Sequence, residues 1–213
     1  MYVKRHIKQL RLSILIPLVV LWMVLPELVI IMLREEDVLK PDKIEILWQT
    51  IVGLNNTIIP IFSVIWPMLL LNNHIEARGN EVLYITDRNK YVMVLGSYIV
   101  YMLHVYVYYL TINAMTFITM LEFVRMAIIC FLFNAIFYTL AYIVSSTGLA
   151  FTAIVLYNIL SMFYLKGKSI GAYVYESHMT TKVLTDRYIE IFALAIVFFA
   201  FGVILNKKYE RYR

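Results

Sequence analysis

Apolar residues in this chain fall into long runs, and the charges are gathered into short stretches between them. A helix needs about 20 mostly apolar residues to cross roughly 30 Å of hydrocarbon. Ser13 to Leu33 meets that length, broken only by Pro26-Glu27. The polar stretch Arg34 to Glu45, with three basic and five acidic residues, precedes a second apolar run from Leu47 to Leu71. Asn72 to Lys90 is polar again. Tyr91 to Leu121 holds 31 uncharged residues, too many for one untilted helix and too few for two. One span ending near Met115, then a short interfacial stretch carrying Glu122 and Arg125, is the economical reading. Met126 to Leu165 is 40 uncharged residues, enough for two helices. Its only turn-forming cluster, Ser145-Ser146-Thr147-Gly148, predicts a tight hairpin near the middle. A polar loop from Lys166 to Arg187 and a short run from Ile189 to Leu205 complete the pattern. It predicts an all-α integral membrane protein, one domain over residues 1–213, with six transmembrane helices at about 13–33, 47–71, 91–115, 126–144, 149–165 and 189–205.

Composition removes most alternatives. Of 213 residues, 62% are hydrophobic and 15% charged, and mean hydropathy is +0.77. Soluble domains average about 45–50% apolar and about 25% charged, so a soluble enzyme, a nucleic-acid module and a disordered regulator are disfavoured together. A net charge of +5 would suggest nucleic acid in a soluble protein. Beside apolar runs, basic residues instead hold loops in the cytoplasm. An even number of spans puts both termini there, with eleven of the 19 Lys and Arg inside and eight outside. The expected location is a bacterial cell membrane, crossed several times. The start, with Lys4, Arg5, Lys8 and Arg11, resembles a signal peptide, but the apolar run is too long and no small-residue cleavage site follows. It reads as a retained first span. Cys130 is the only cysteine, so no disulfide framework forms within one chain.

A few polar residues fall inside spans and are the candidate translocation-path residues: Glu27, Asn55, Asn56 and His104. Glu27 either lines a substrate or ion path or rests near the outer interface beside a kink at Pro26. Asn55 and Asn56, next to Thr57, either hydrogen-bond between helices or line a path. His104 either senses protons or packs as a satisfied histidine. Tyr106, Tyr108 and Tyr109 are expected at the outer interface, where tyrosine anchors spans. No metal site is expected, because His6, His74, His104 and His178 are scattered over different depths. Glu35-Glu36 invites comparison with membrane proteases carrying E-E-x-x-x-R, but position 40 is lysine.

The segment from Asn72 to Val94, NNHIEARGNEVLYITDRNKYVMV, carries the most information. Ile75, Val82, Leu83 and Ile85 form an apolar stripe, with Glu76, Arg78, Glu81, Asp87 and Arg88 facing elsewhere. That is the pattern of a short amphipathic helix at the membrane face, broken near Gly79-Asn80. A second span, then E-x-x-G-[T/N]-E-x-L, then a third span resembles the permease subunits of ABC transporters of the type-2 class. Glu76, Gly79, Asn80, Glu81 and Leu83 sit on that pattern. The resemblance covers the whole chain as architecture and only this segment as a signature. Asn80 stands where threonine is usual, and a proline often found after the leucine pair is missing at Thr86-Asp87.

The resemblance implies a cytoplasmic coupling helix between spans two and three. Glu76, Gly79, Asn80, Glu81, Val82 and Leu83 would dock onto a nucleotide-binding ATPase subunit. It implies a dimer with a second permease copy or homologue in the lipid bilayer, and no nucleic-acid partner. ATP and Mg would be bound by the ATPase, since no G-x-x-x-x-G-K-[ST] loop exists in this chain. The chain itself would hold no cofactor and catalyse nothing. The implied activity is export of a hydrophobic or amphipathic solute, such as a peptide, lipid or drug. The rival class is a non-transporting immunity or sensor protein that binds a peptide or partner subunit; it would share the six spans and need no docking helix.

Overall fold

The computed structural model describes residues 15–35, 41–76, 90–116, 120–165, 173 and 179–211, and these are helical apart from short turns and connections. Helix α1 runs through Leu15–Val19, a π-helical turn Val20–Val24 and Leu25–Glu35. Pro26 explains the wide turn. It has no N–H for the Trp22 carbonyl, and just ahead of it the Leu25 N–H reaches back five residues to the Val20 carbonyl. Helix α2, Pro41–Ile75, opens on a proline, where a missing N–H is tolerated. It also carries Pro60 and Pro67 in its interior.

Helices α3 (Lys90–Thr116), α4 (Met120–Val144) and α5 (Thr147–Phe163) follow. Helix α6 begins as Thr181–Val183, passes a π-helical turn Leu184–Tyr188 and continues as Ile189–Arg211. Five of these helices are long and apolar enough to cross a membrane. Helix α5 is apolar but shorter, at 17 residues. The hairpin lies where the sequence predicts it. Ser145 adopts a left-handed φ of 55° just past the end of α4, and the Ser146 side chain accepts the Leu149 N–H as the N-cap of α5.

From Met126 to Val144 helix α4 is apolar on every side, as a helix surrounded by others must be, and it packs on α2, α3, α5 and α6. One core cluster gathers α2, α4, α5 and α6 around Phe133, Phe137, Tyr138 and Ile154. A second gathers α1, α2, α3 and the first half of α4 around Leu25, Ile51, Tyr101, Val105 and Met126. Helices α4 and α6 approach closely at Gly202. A Cβ there would lie 2.5 Å from Tyr138 Cδ1 and 2.9 Å from Thr139 Oγ1. One turn earlier on α6, the Phe198 carbonyl accepts the Thr139 hydroxyl at 2.7 Å.

Two expectations change. The interfacial stretch anticipated around Glu122 and Arg125 is instead the first turn and a half of α4, and both side chains are buried. Opposite charges one turn apart neutralise each other, so the helix carries them inward. Of the three tyrosines expected as an anchoring belt, Tyr106 is exposed, whereas Tyr108 and Tyr109 are fully buried in the second cluster.

Candidate functional site

The polar groups of α2 collect at two places. The first begins with Pro60. A proline inside a helix leaves the carbonyl four residues earlier without its donor, here the Asn56 carbonyl. A buried backbone oxygen without a partner costs about 1–3 kcal/mol, and an apolar surrounding offers no water to supply one. Tyr173, buried in the connection between α5 and α6, places its hydroxyl 2.8 Å from that carbonyl. The same hydroxyl lies 2.6 Å from Asn158 Oδ1 on α5, and Asn158 Nδ2 donates to the Thr57 carbonyl at 3.0 Å.

The Asn56 side chain joins this cluster to the ion pair. Its Oδ1 accepts Arg125 at 2.8 Å, and Arg125 donates through Nε to Glu122 Oε2 at 2.7 Å. The second guanidinium nitrogen is 2.7 Å from the same carboxylate oxygen. Tyr188 of α6 is a further polar neighbour of the guanidinium. Next door, the Tyr108 hydroxyl of α3 donates to Asn55 Oδ1 at 2.7 Å. Five helices and one connecting residue thus meet around Asn55 and Asn56. The pair sits only 3% and 2% exposed, so its charges are held by partners and not by water.

This network makes a direct prediction. Tyr173→Phe removes the one hydroxyl proton shared by the Asn56 carbonyl and Asn158 Oδ1 and is expected to cost about 1–3 kcal/mol in thermal unfolding of the purified chain. In a Pro60→Ala background the helix regains its own N–H at that carbonyl, so the same substitution should cost distinctly less. Equal costs in both backgrounds would show that the proline does not create the need.

The second place is the far end of α2, 20 residues on from Asn56, which is about 30 Å along a helix. An α-helix leaves its first four N–H groups, counted from the N-cap, without internal partners, and at α5 those of Thr147, Gly148 and Leu149 each meet a side-chain oxygen. The Thr147 and Gly148 N–H groups reach Glu76 Oε1 at 2.6 and 3.4 Å. The Leu149 N–H goes to Ser146 Oγ at 3.4 Å, and the helix's own first bond follows, from the Ala150 N–H to the Ser146 carbonyl at 3.3 Å. The Ser146 and Thr147 hydroxyls add bonds to Glu76 Oε1 at 2.8 and 3.1 Å.

A carboxylate at a helix N-terminus is also favoured by the helix dipole. The Ser146 hydroxyl first, then the Thr147 and Gly148 donors, hold the Glu76 carboxyl below its usual pKa against partial desolvation. Its contribution is therefore present above the ordinary carboxylate pKa and is lost only as the pH falls through the lowered value. At neutral pH the cap is charged.

The expected path residues do not form one site. Asn55 and Asn56 are buried hydrogen-bonding groups between helices. His104 is half-buried between the rings of Trp22 and Trp66, at 6.4 and 6.3 Å. Glu27 is exposed on α1. Of the expected docking residues, Glu76 is placed as described; Gly79, Asn80, Glu81, Val82 and Leu83 lie outside the described residues. Among the described residues no three His, Cys, Asp or Glu side chains converge as a metal site.

No family model, curated protein or solved structure matches the chain. Its chemistry is therefore read from the geometry. The cluster around Asn56 is internally hydrogen-bonded and suits a fixed junction between helices. The cluster at Glu76 is exposed, charged and borders the most distinctive segment of the sequence. Asn158 and Tyr173 carried no signal of their own, but Pro60 four residues after Asn56 pointed to an unpaired carbonyl that some side chain had to satisfy.

Proposed function

We propose that this chain is the membrane-spanning permease subunit of an ATP-driven ABC transporter, working as a dimer with a separate ATPase. The observation that supports this reading most directly is the position of Glu76. The first residue of the E-x-x-G-[T/N]-E-x-L segment bonds the start of α5. A partner docked on residues 76–83 would therefore bear on α2 and α5 together. In this reading α5 is a sixth span. At 17 residues it measures about 26 Å, and a mismatch of a few ångströms costs only fractions of a kcal/mol per Å. Both termini and the Glu76 cluster then face the cytoplasm, and the Asn56 cluster faces outward.

ATP-driven closure of the ATPase subunits pushes on the docking segment, and the spans rearrange as packed units between inward-open and outward-open forms. A hydrophobic or amphipathic solute suits export through a chain with so little mass outside the apolar helices. Purification from the native membrane in mild detergent is expected to recover a stoichiometric ATP-hydrolysing subunit, and the double variant Glu81→Arg with Leu83→Ala is expected to lose it. Recovery of the chain alone would overturn the reading in favour of an immunity or sensor protein.

A further inference from the structure

Helix α1 stands at the edge of the bundle and gives it only one face. Leu21, Leu25 and Val29, four residues apart, are buried in the core cluster shared with α2 and α3. The opposite face is exposed along its length, where Ile16, Val19, Met23, Glu27, Ile31 and Arg34 follow at spacings of three or four. Lipid covers the apolar members of this face without cost. Glu27 is different. The apolar stretch of α1 runs from Leu15 to Arg34, and Glu27 is about 18 Å along the helix from its start and about 10 Å from its end. Its side chain is too short to reach an end two turns away. An acid at such depth normally faces a protein interior, a water-filled cavity or a pairing partner. Among the described residues no side chain bonds its carboxyl. The exposed acid of α6, Glu190, has its own base one turn back, with Arg187 3.7 Å away; Glu27 has no such neighbour.

We propose that this face of α1 is a contact with a second copy of the chain, α1 against α1 across a two-fold axis along the membrane normal, with Glu27 meeting Glu27. Copies inserted in one orientation hold the same residue at the same depth, and closed two-fold pairs are the commonest assembly. A carboxyl that holds a proton both donates and accepts hydrogen bonds. Two carboxyls at one depth therefore satisfy each other with no base required. Val19, Met23 and Ile31 pack above and below them, and Arg34 falls at the end of the span, where water solvates it. A lone polar group in an apolar seam also fixes the register of two helices, because any slide would leave both carboxyls in lipid. The proposal rests on the membrane-spanning reading and supplies a contact for its dimer; it makes no use of the ATPase.

The test uses the full chain, labelled for energy transfer and diluted stepwise in liposomes, and reads the dimer fraction. Glu27→Leu, which suits an apolar helix, is expected to raise the dissociation constant about 3- to 30-fold, the range for a hydrogen bond between membrane helices. Glu27→Gln keeps a donor and an acceptor and should stay within about threefold of the wild type. Mixing charges tests the contact directly. Glu27→Lys alone should be monomeric, since two ammonium groups would face each other. Mixed with the wild type, it should form heterodimers in preference to either homodimer, lysine opposite glutamate. Met23→Cys, one turn from Glu27, should oxidise in native membranes to a disulfide-linked dimer. Val197→Cys, 65% exposed on α6, should not, nor should the wild type, whose Cys130 is buried.

A wild-type chain that stays monomeric at every dilution would overturn the proposal. So would a Glu27→Leu dimer as tight as the wild type, or a Glu27→Lys chain that pairs with the wild type no better than with itself. Monomers recovered with a different membrane helix that carries a basic residue would give Glu27 to that partner instead. If Glu27→Lys fails to insert, Glu27→Leu and the Met23→Cys cross-link decide. The dimer is measured without an ATPase, so its absence leaves the transporter reading to co-purification, and a missing ATPase leaves this contact standing.

Discussion

Arg125→Ala is expected to cost about 3–5 kcal/mol, the usual penalty for removing one partner of a buried ion pair. At about 2–4 °C per kcal/mol for a chain of this size, thermal unfolding in detergent should begin roughly 10 °C lower. The cost arises from what remains behind. Glu122, only 2% exposed, must stay charged without a partner or take up a proton, and Asn56 Oδ1 loses the donor it has at 2.8 Å. Arg125→Lys should fall between, because an ammonium cannot reproduce the planar guanidinium that reaches Glu122 and Asn56 at once. Replacing the pair together, Glu122→Leu with Arg125→Met, should recover most of the loss, since apolar residues of similar volume often replace a buried pair without net cost. A wild-type melting curve for Arg125→Ala would mean that the pair is reached by water.

Gly202→Ala is expected to cost about 1–3 kcal/mol, the range for overpacking a close-packed core. The added methyl group would meet the Tyr138 ring at 2.5 Å and the Thr139 hydroxyl at 2.9 Å. Neither yields easily. The ring is fully buried beside Tyr142 and Phe199, and Thr139 is anchored to the Phe198 carbonyl. Glycine controls make the test specific. A Cβ at Gly53 or Gly96 would meet nothing within 4 Å, so alanine there should be neutral or stabilising by up to about 1 kcal/mol. Combining Gly202→Ala with Tyr138→Leu should cost less than the sum of the two, by about 0.5–3 kcal/mol, because the ring is the obstacle. Additive losses would place the strain elsewhere.

The two predictions separate what the sequence shows from what it hides. The central place of α4 is legible, since a run from Met126 to Val144 that is apolar on all sides has no face to offer water. The hairpin at Ser145–Gly148 is equally legible, because a small polar cluster between two apolar runs leaves the chain nowhere else to turn. The depth of Glu122 and Arg125 is not. Two charges at the edge of an apolar run read as an interface until a third residue, Asn56, is known to meet them. Tyr108 likewise fits a belt by position and leaves it because Asn55 offers an acceptor inside.

From its sequence alone this chain was bound to be a set of apolar helices with charged connections. The hydrophobic cost of exposing such runs, and the backbone's need to bond within each one, leave no other solution. The segment beginning at Glu76 was recognisable for the same local reason, a charged amphipathic interruption between two spans. Only the tertiary structure decided the partners: that the carbonyl freed by Pro60 is met by Tyr173, that Arg125 reaches Asn56, and that Glu76 caps α5. Each of these bonds joins residues at least 69 positions apart, and pairing over such distances is set by how the helices pack, which no local pattern encodes.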